Sequence, residues 1–129
     1  MMKEFSPNGD IRKSKKEVFT SVFKESLGYF VEGNLEIKDI EMQETEDNVI
    51  LQMRFKGGGD KIVDIVNNFY QENEEKVKES LRAEDFGIIL DGDTKEFVAQ
   101  IVLPKNISEE DKQIARNVLE ELKQKLLLA

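Results

Sequence analysis

Residues 86–103 read FGIILDGDTKEFVAQIVL, and this stretch decides the fold. An apolar run at 86–90 meets the turn sequence DGDT, and a second, largely alternating run follows at 97–103. Two such runs joined by a glycine-containing turn predict an antiparallel β-hairpin. In the second run Val98 and Val102 point away from the apolar face yet are apolar themselves. This pattern indicates a strand that is central in its sheet or covered on both sides.

A helix is predicted directly after this hairpin. Pro104 ends the strand. Ser108 is a good N-cap, and the three acidic residues that follow it suit the positive end of the helix dipole. Apolar residues then recur at helical spacing: Ile114, Ala115, Val118, Leu119, Leu122 and Leu126. Leu127 and Leu128 make three consecutive leucines, which cannot all lie on one narrow stripe. We therefore expect some of them to be exposed or to pack against a partner chain.

Residues 35–69 repeat the order of strand, strand and helix. The cleanest alternation predicts a half-buried antiparallel strand, with Val49, Leu51, Met53 and Phe55 on one side. Before it lie two apolar pairs, at 35 and 37 and at 40 and 42, and their alternation is out of phase by one residue. A bulge near Lys38 and Asp39 would put both pairs on one face. Three glycines at 57–59 lead into the next helix. A polar run at 71–75 interrupts its stripe, and we expect one continuous helix because no Gly or Pro breaks it.

The N-terminal part predicts a leader and a first helix. The cluster Ser-Pro-Asn-Gly favours a flexible leader at 1–13. Ser14 and Glu17 fit a capping box, and an apolar stripe then runs along about four helical turns: Val18, Phe19, Val22, Phe23, Leu27 and Phe30. We also expect a short strand at 29–32. The fold class is thus α+β in a single domain at 14–129, with an N-terminal helix followed by two ββα units and an antiparallel sheet packed against helices.

The composition argues against most enzyme chemistries. The chain of 129 residues has no histidine and no cysteine, so it lacks the usual general base near neutral pH, thiol nucleophiles and the commonest zinc ligands. We expect no enzymatic activity, no cofactor and no catalytic or metal residues. The longest apolar runs are too short to cross a membrane, and there is no apolar signal core at the N-terminus. These features are compatible with the cytoplasmic location that we expect.

Two local patterns invite a ligand. Glycines 57–59 before a helix resemble a phosphate cradle, but the spacing matches no phosphate-binding motif and Asp60 would repel an anion, so chain reversal is the better interpretation. Asp91 and Asp93 flank a glycine, but a calcium loop needs about six oxygen ligands in a longer pattern. A hairpin turn explains these residues instead.

The charge is unevenly distributed. The net charge is −8, and residues 31–129 hold 13 basic and 23 acidic groups. No concentrated basic patch is present there to exchange for phosphate counterions, so we expect no binding to nucleic acid. An acidic balance favours solubility and basic partners.

The order of elements at 63–126 resembles the class I type III secretion chaperones and the bacterial family of sensory-transduction regulators that shares their fold. The resemblance rests on a helix with Asn68 and Phe69, the hairpin at 86–104 with its Asp91 turn, and the helix from Ser108. It implies a non-enzymatic homodimer that binds an extended segment of a partner along helix and sheet surfaces. It carries no diagnostic motif, and no site residue is transferred.

The sequence therefore leads to one main hypothesis and one alternative. The main hypothesis is a protein-binding module of chaperone or adaptor type that forms a homodimer, with partner contacts at Val98, Val102, Leu127 and Leu128. The alternative is an acidic inhibitor or nucleic-acid mimic, of the kind carried by mobile elements, that places carboxylates where a basic enzyme expects phosphates. Its candidate surface comprises Glu44, Glu46, Asp47, Glu72, Glu74 and Glu75. An enzyme built on carboxylates and lysines is disfavoured, because no residue pattern indicates a nucleophile or base.

Overall fold

The computed structural model describes residues 28–129, and it confirms the predicted class of mixed helices and antiparallel sheet. The predicted leader and the start of the predicted helix from Ser14 lie outside the described residues. The elements in chain order are α1 (Gly28–Val31), β1 (Glu36–Ile37), β2 (Glu41–Glu44), β3 (Asn48–Lys56), α2 (Lys61–Ser80), β4 (Asp85–Asp91), β5 (Glu96–Pro104) and α3 (Glu109–Leu127).

The predicted short strand at 29–32 is wrong, because Gly28–Val31 is helical. The Phe30 ring lies 5.5 Å from the ring of Phe97, centroid to centroid. The backbone carbonyls of Phe30 and Val31 accept hydrogen bonds from the N–H groups of Gly57 and Gly59. These two carbonyl oxygens therefore bind the glycine loop and not a neighbouring strand.

All strand pairs of the sheet are antiparallel. The strand order is β1, β3, β5, β4, and β2 also pairs with β3. The strand carrying Val98 and Val102 was predicted to be central or covered on both sides, and β5 is central because it lies between β3 and β4. The hairpin predicted from residues 86–103 is the pair β4–β5, in which Phe86 lies opposite Ile101.

A bulge joins β1 to β2, as predicted. Ile37 lies opposite Phe55, whereas Glu41 lies opposite Gln52, so four steps along one strand match three along the other. The extra residue in the bulge shifts the alternation of side chains between the two faces of the sheet by one position. Ile37 and Met42 consequently lie on the same face of the sheet, opposite the buried side chains Phe55 and Leu51.

The core lies between one face of the sheet, here called the inner face, and the two long helices. On β3 and β5 the inner-face side chains are almost completely buried: Val49, Leu51, Met53, Phe55, Phe97, Ala99, Ile101 and Leu103. The apolar stripes of α2 and α3 belong to the same buried cluster. Within residues 28–129, both long helices therefore lie on one side of the sheet.

The helix α2 runs without a break through the polar run at 71–75, which confirms the prediction of one continuous helix. Asn73 occupies the buried stripe at the position where an apolar residue is expected, between Phe69 and Val77. Its side-chain Nδ2 donates a hydrogen bond to the Phe69 carbonyl oxygen at 2.9 Å. The helix itself thus satisfies this buried amide donor, so the polar residue does not interrupt packing.

The glycine loop closes on the segment after α1. All three glycines have positive φ angles, and a Cβ on Gly57 would lie 2.0 Å from the backbone oxygen of Asn34. A Cβ on Gly59 would meet no atom within 4 Å. Gly57 is therefore required both by its backbone conformation and by the close approach of two chain segments, whereas Gly59 is required by conformation alone.

We expect Gly59→Ala to lower the free energy of unfolding by about 1–3 kcal/mol, the usual cost of a non-glycine residue at a positive φ. Gly57→Ala should cost clearly more, because a backbone oxygen cannot move away without disturbing the loop. Urea unfolding of both variants beside the parent chain measures the two losses. Equal losses would show that Asn34 does not approach Gly57 closely in solution.

Candidate functional site

Val98 and Val102 lie on the face of the sheet opposite the long helices, here called the open face. Cross-strand neighbours on this face are Arg54 and Ile89 beside Val98, and Ile50 and Asp85 beside Val102. Ile50 and Val102 are partly exposed, whereas Val98 is only 2% exposed. Of the two predicted contact residues on this face, Val102 is therefore the more accessible.

The middle of the open face is polar. Gln52 and Gln100 lie opposite each other on β3 and β5, and Gln52 Nε2 donates a hydrogen bond to Gln100 Oε1 at 2.7 Å. This pair separates the apolar row of Ile50 and Val102 from the row that contains Val98. The open face consequently offers two small apolar areas and not one continuous apolar patch.

A network of charged side chains closes one end of the open face. Arg54 Nη1 lies 3.0 Å from Asp91 Oδ2 and 3.0 Å from Glu96 Oε1, and Lys38 Nζ lies 2.8 Å from Glu96 Oε2. Because Arg54 is on β3 and Asp91 is on β4, this ion pair spans the central strand β5. The network thus links the strands β3, β5 and β4 across their open face.

Glu96 is the buried member of this network. Its side chain is only 4% exposed, although it is charged. The ammonium group of Lys38 lowers the pKa of Glu96, and Arg54 adds to the effect against the cost of burial. The Arg54 guanidinium likewise lowers the pKa of Asp91. Both carboxyl groups therefore remain ionised in the folded chain at neutral pH.

Leu127 and Leu128 lie on the opposite side of the sheet from Val98, at the end of α3. They are 55% and 84% exposed. Leu127 borders a groove of about 540 Å³ whose apolar lining includes Leu35 and Ile62, and Leu128 borders one of about 350 Å³ lined in part by Ile65 and Phe69. We call these two leucines with the two grooves the C-terminal surface. The fold therefore places the four predicted contact residues on two separate surfaces.

The glycine loop does not present its N–H groups to a ligand. The N–H groups of Gly57, Gly58 and Gly59 donate to the carbonyl oxygens of Phe30, Gly33 and Val31, at 2.8, 3.0 and 2.9 Å. A phosphate cradle needs such donors to point into an open site. The interpretation of this loop as a chain reversal therefore agrees with its hydrogen bonds.

Asp91 is fully engaged by the turn and the ion pair. Its Oδ1 accepts hydrogen bonds from the backbone N–H groups of Asp93 and Thr94, and its Oδ2 faces Arg54. Within residues 28–129, no group of three or more acidic side chains is arranged to hold a metal ion. The Asp-Gly-Asp sequence thus acts as a hairpin turn.

The six carboxylates proposed for a nucleic-acid mimic do not form one acidic surface. Glu44 lies 3.3 Å from Lys105, which precedes α3, and 3.4 Å from Lys112, which is in the first turn of α3. Glu72 lies 3.9 Å from Lys125, near the end of the same helix. Lys112 and Lys125 are about 20 Å apart along α3 at 1.5 Å per residue. The acidic residues are therefore divided into two groups, each containing lysine.

Tyr70 offers no reactive phenolate. Burial of its hydroxyl raises the pKa of Tyr70 well above the usual value for tyrosine, and the negative charge of Asp85 adds to this effect. The ring packs on Phe86 with a centroid separation of 4.4 Å. Tyr70 therefore remains a protonated phenol at neutral pH and acts as a packing residue of α2.

Sequence reasoning missed the network of Lys38, Arg54 and Glu96. The alternation of β3 placed Arg54 on the polar face, but nothing in the sequence indicated which carboxylates it would meet. That choice depends on the register, which puts Val98 directly beside Arg54 and thereby brings Glu96 within reach. A search for opposite charges near the ends of predicted neighbouring strands would have suggested this pair.

The comparisons with known proteins give no relative. No family model, no curated protein and no solved structure matches this chain. Within the part of the chain that the structure describes, no helix is long and apolar enough to cross a bilayer. Any function must therefore be argued from the surfaces of the molecule.

The buried carboxylate predicts an acid-sensitive fold. The pKa of Glu96 is lowered on folding, so its stabilising contribution is complete above its unfolded-state pKa near 4.5 and is lost as the pH falls through the lower folded-state value. We expect Glu96→Gln to lower the free energy of unfolding by about 1–3 kcal/mol at pH 7. This difference from the parent should shrink as the pH falls below about 4.5, because the unfolded parent chain then takes up a proton at Glu96 while the folded chain still holds the carboxylate ionised.

The measurement is urea unfolding of parent and variant at several pH values. Glu121→Gln, which removes an exposed carboxylate from α3, is the matched control and should differ little from the parent throughout. A loss in Glu96→Gln that stays constant from pH 7 to pH 3 would contradict the ionised network, since these pH values bracket the carboxyl range.

Proposed function

We propose that this protein is a non-catalytic protein-binding module of the chaperone or adaptor type, and that it acts as a homodimer. The observation that carries the proposal is the C-terminal surface, where two neighbouring leucines are exposed beside apolar grooves. Exposed apolar side chains that are clustered in this way mark interaction sites more often than single exposed ones do.

The C-terminal surface suits a second copy of the same chain. A twofold interface requires one surface to be complementary to itself. This surface carries two protruding side chains, Leu127 and Leu128, and the two apolar grooves that border them. In the proposed dimer Leu128 of one copy lies against the partly exposed Ile65 of the other, and the same contact is repeated in reverse.

The open face is left for a different partner in this proposal. The C-terminal surface belongs to the helix layer, whereas Ile50 and Val102 lie on the other side of the sheet. A dimer formed through the helices would therefore not cover them. Val102 remains our predicted contact for the partner protein, and Val98 would contribute only after its neighbours move, because it is buried.

The proposed dimer is tested by the double substitution Leu127→Glu and Leu128→Glu. We expect it to convert a dimer into a monomer, because two carboxylates would have to be buried in an apolar contact. The matched control is Gln113→Glu with Ile114→Glu, which also adds two negative charges at exposed positions of α3. These two positions lie about 20 Å from Leu127 along α3, at 1.5 Å per residue, so the control variant should remain a dimer.

Light scattering after size exclusion measures the solution mass of each variant. Unchanged secondary structure by circular dichroism would show that the substitutions leave the fold intact. A parent chain that is already monomeric at high concentration would contradict the homodimer, and a double variant that retains the mass of a dimer would place the contact elsewhere.

The alternative function as an acidic mimic receives less support from the geometry. Three of its six candidate carboxylates, Glu44, Glu72 and Glu74, have lysine partners within 4 Å. Such pairing lowers the negative potential that a basic enzyme would recognise. The binding module is therefore the function that we propose.

A further inference from the structure

The turn between β4 and β5 contains the only Asp-Gly pair in the sequence, Asp91 and Gly92. An aspartate before glycine is prone to isomerise, because glycine has no Cβ to hinder its own backbone nitrogen. Gly92 is exposed, and a Cβ built on it would meet no atom within 4 Å. Packing around Gly92 therefore does not close this site to the reaction.

The isomerisation needs no reagent other than water. The backbone nitrogen of Gly92 attacks Cγ of Asp91, and one side-chain oxygen leaves as water with the proton of that nitrogen and the proton of the carboxyl group. Water then opens the resulting cyclic imide at either carbonyl carbon. Opening at the original backbone carbonyl leaves the chain connected through Cγ, which gives isoaspartate. The reaction therefore requires a protonated carboxyl group on Asp91.

Both side-chain oxygens of Asp91 are held in the folded chain. Oδ1 accepts hydrogen bonds from the backbone N–H groups of Asp93 and Thr94, at 3.0 and 3.4 Å. Oδ2 accepts one from Arg54 Nη1 at 3.0 Å. This charge-assisted bond favours the ionised carboxylate, and the guanidinium accordingly lowers the pKa of Asp91. The protonated form from which water can leave is therefore rare while Arg54 is in place.

The turn by itself protects only one of the two oxygens. It also favours the attack, because the backbone carbonyl oxygen of Asp91 accepts the N–H of Lys95 at 2.8 Å. This hydrogen bond withdraws electron density from the peptide group between Asp91 and Gly92, and so makes its N–H more acidic. The remaining protection comes from Arg54, which lies on β3, across the central strand from Asp91.

We propose that Asp91 is a latent site of isoaspartate formation, and that Arg54 protects it by holding Oδ2 from across the sheet. This inference goes beyond the proposed function and does not depend on it. Isoaspartate has an additional carbon atom in the main chain, so its carboxylate is displaced and β4 loses its ion pair with β3. A chain modified here becomes a substrate for the class of enzymes that methylate isoaspartyl carboxyl groups.

The substitution Arg54→Met tests the protection, because it removes the guanidinium and keeps an apolar stem of similar length. We expect isoaspartate at position 91 to form at least about threefold faster than in the parent near neutral pH, since the protonated fraction rises with the pKa of the carboxyl group. The matched control is Lys38→Met. It removes the other cation that binds Glu96, at 2.8 Å, and leaves Arg54 beside Asp91, so it should isomerise at the parent rate.

The full-length chains are incubated in water enriched in oxygen-18 and then digested with trypsin, which cuts after Arg82 and Lys95. Each passage through the cyclic imide adds a heavy oxygen to the peptide 83–95, and chromatography separates its isoaspartate form. The parent chain in urea gives the rate without protection. This rate multiplied by the unfolded fraction of each variant, measured by urea unfolding, gives the contribution of global opening. We expect the rate in Arg54→Met to exceed that contribution.

Equal rates in the parent and Arg54→Met would overturn the proposal, as would a parent rate that is the same in buffer and in urea. A rate in Arg54→Met that global opening explains in full would also overturn it, because Arg54 would then act through stability alone. The same is true if Lys38→Met accelerates the reaction as much as Arg54→Met does, since the contact with Asp91 would then not matter.

Discussion

The pairing of β3 with β5 is the constraint on which the rest of the structure depends. The two strands are in register from Asn48 opposite Pro104 to Phe55 opposite Phe97. Every inner-face side chain along this pair is buried, and the rings of Phe55 and Phe97 stack with a centroid separation of 5.1 Å. β1 and β2 attach to one edge of the pair and β4 to the other, so a slip of one residue would turn the whole apolar set towards solvent.

The two faces of this sheet serve different physical purposes. The inner face supplies apolar area to the helices, which is the main favourable contribution to folding. The open face holds the strands in register through polar contacts, such as the Gln52–Gln100 hydrogen bond and the ion pairs of Arg54. A buried ion pair adds less to stability than its distances suggest, because desolvation offsets the attraction. Its value here is that a shifted register would leave Glu96 buried without its partners.

The separation of the surfaces bears on the proposed function. The C-terminal surface lies in the helix layer, and the open face lies across the sheet from it. A module that used the first for a second copy would keep the second free for another protein, in two equivalent positions related by the dimer axis. This arrangement suits an adaptor, because self-association and partner binding would not compete for the same residues.

Local sequence was sufficient for most of the fold. The alternation at 49–55 and the DGDT turn specified two strand segments, and Ser108 capped α3 as expected, with its side-chain oxygen accepting the N–H of Asp111 at 3.0 Å. The shift by one residue in the alternation of apolar side chains around Lys38 was enough to predict the bulge. These features depend on neighbours in sequence, so periodicity and turn chemistry express them directly.

The tertiary structure decided what depends on distant residues. It bound the carbonyl oxygens of Phe30 and Val31 to the glycine loop, and it buried Asn73 within an apolar stripe. It also separated Val98 and Val102 from Leu127 and Leu128, and brought Glu96 to Arg54 and Lys38. The sequence by itself determined which residues are apolar, charged or turn-forming. Only the register of the strands and the side on which the helices pack determined which of them meet, because those contacts join residues far apart in the chain.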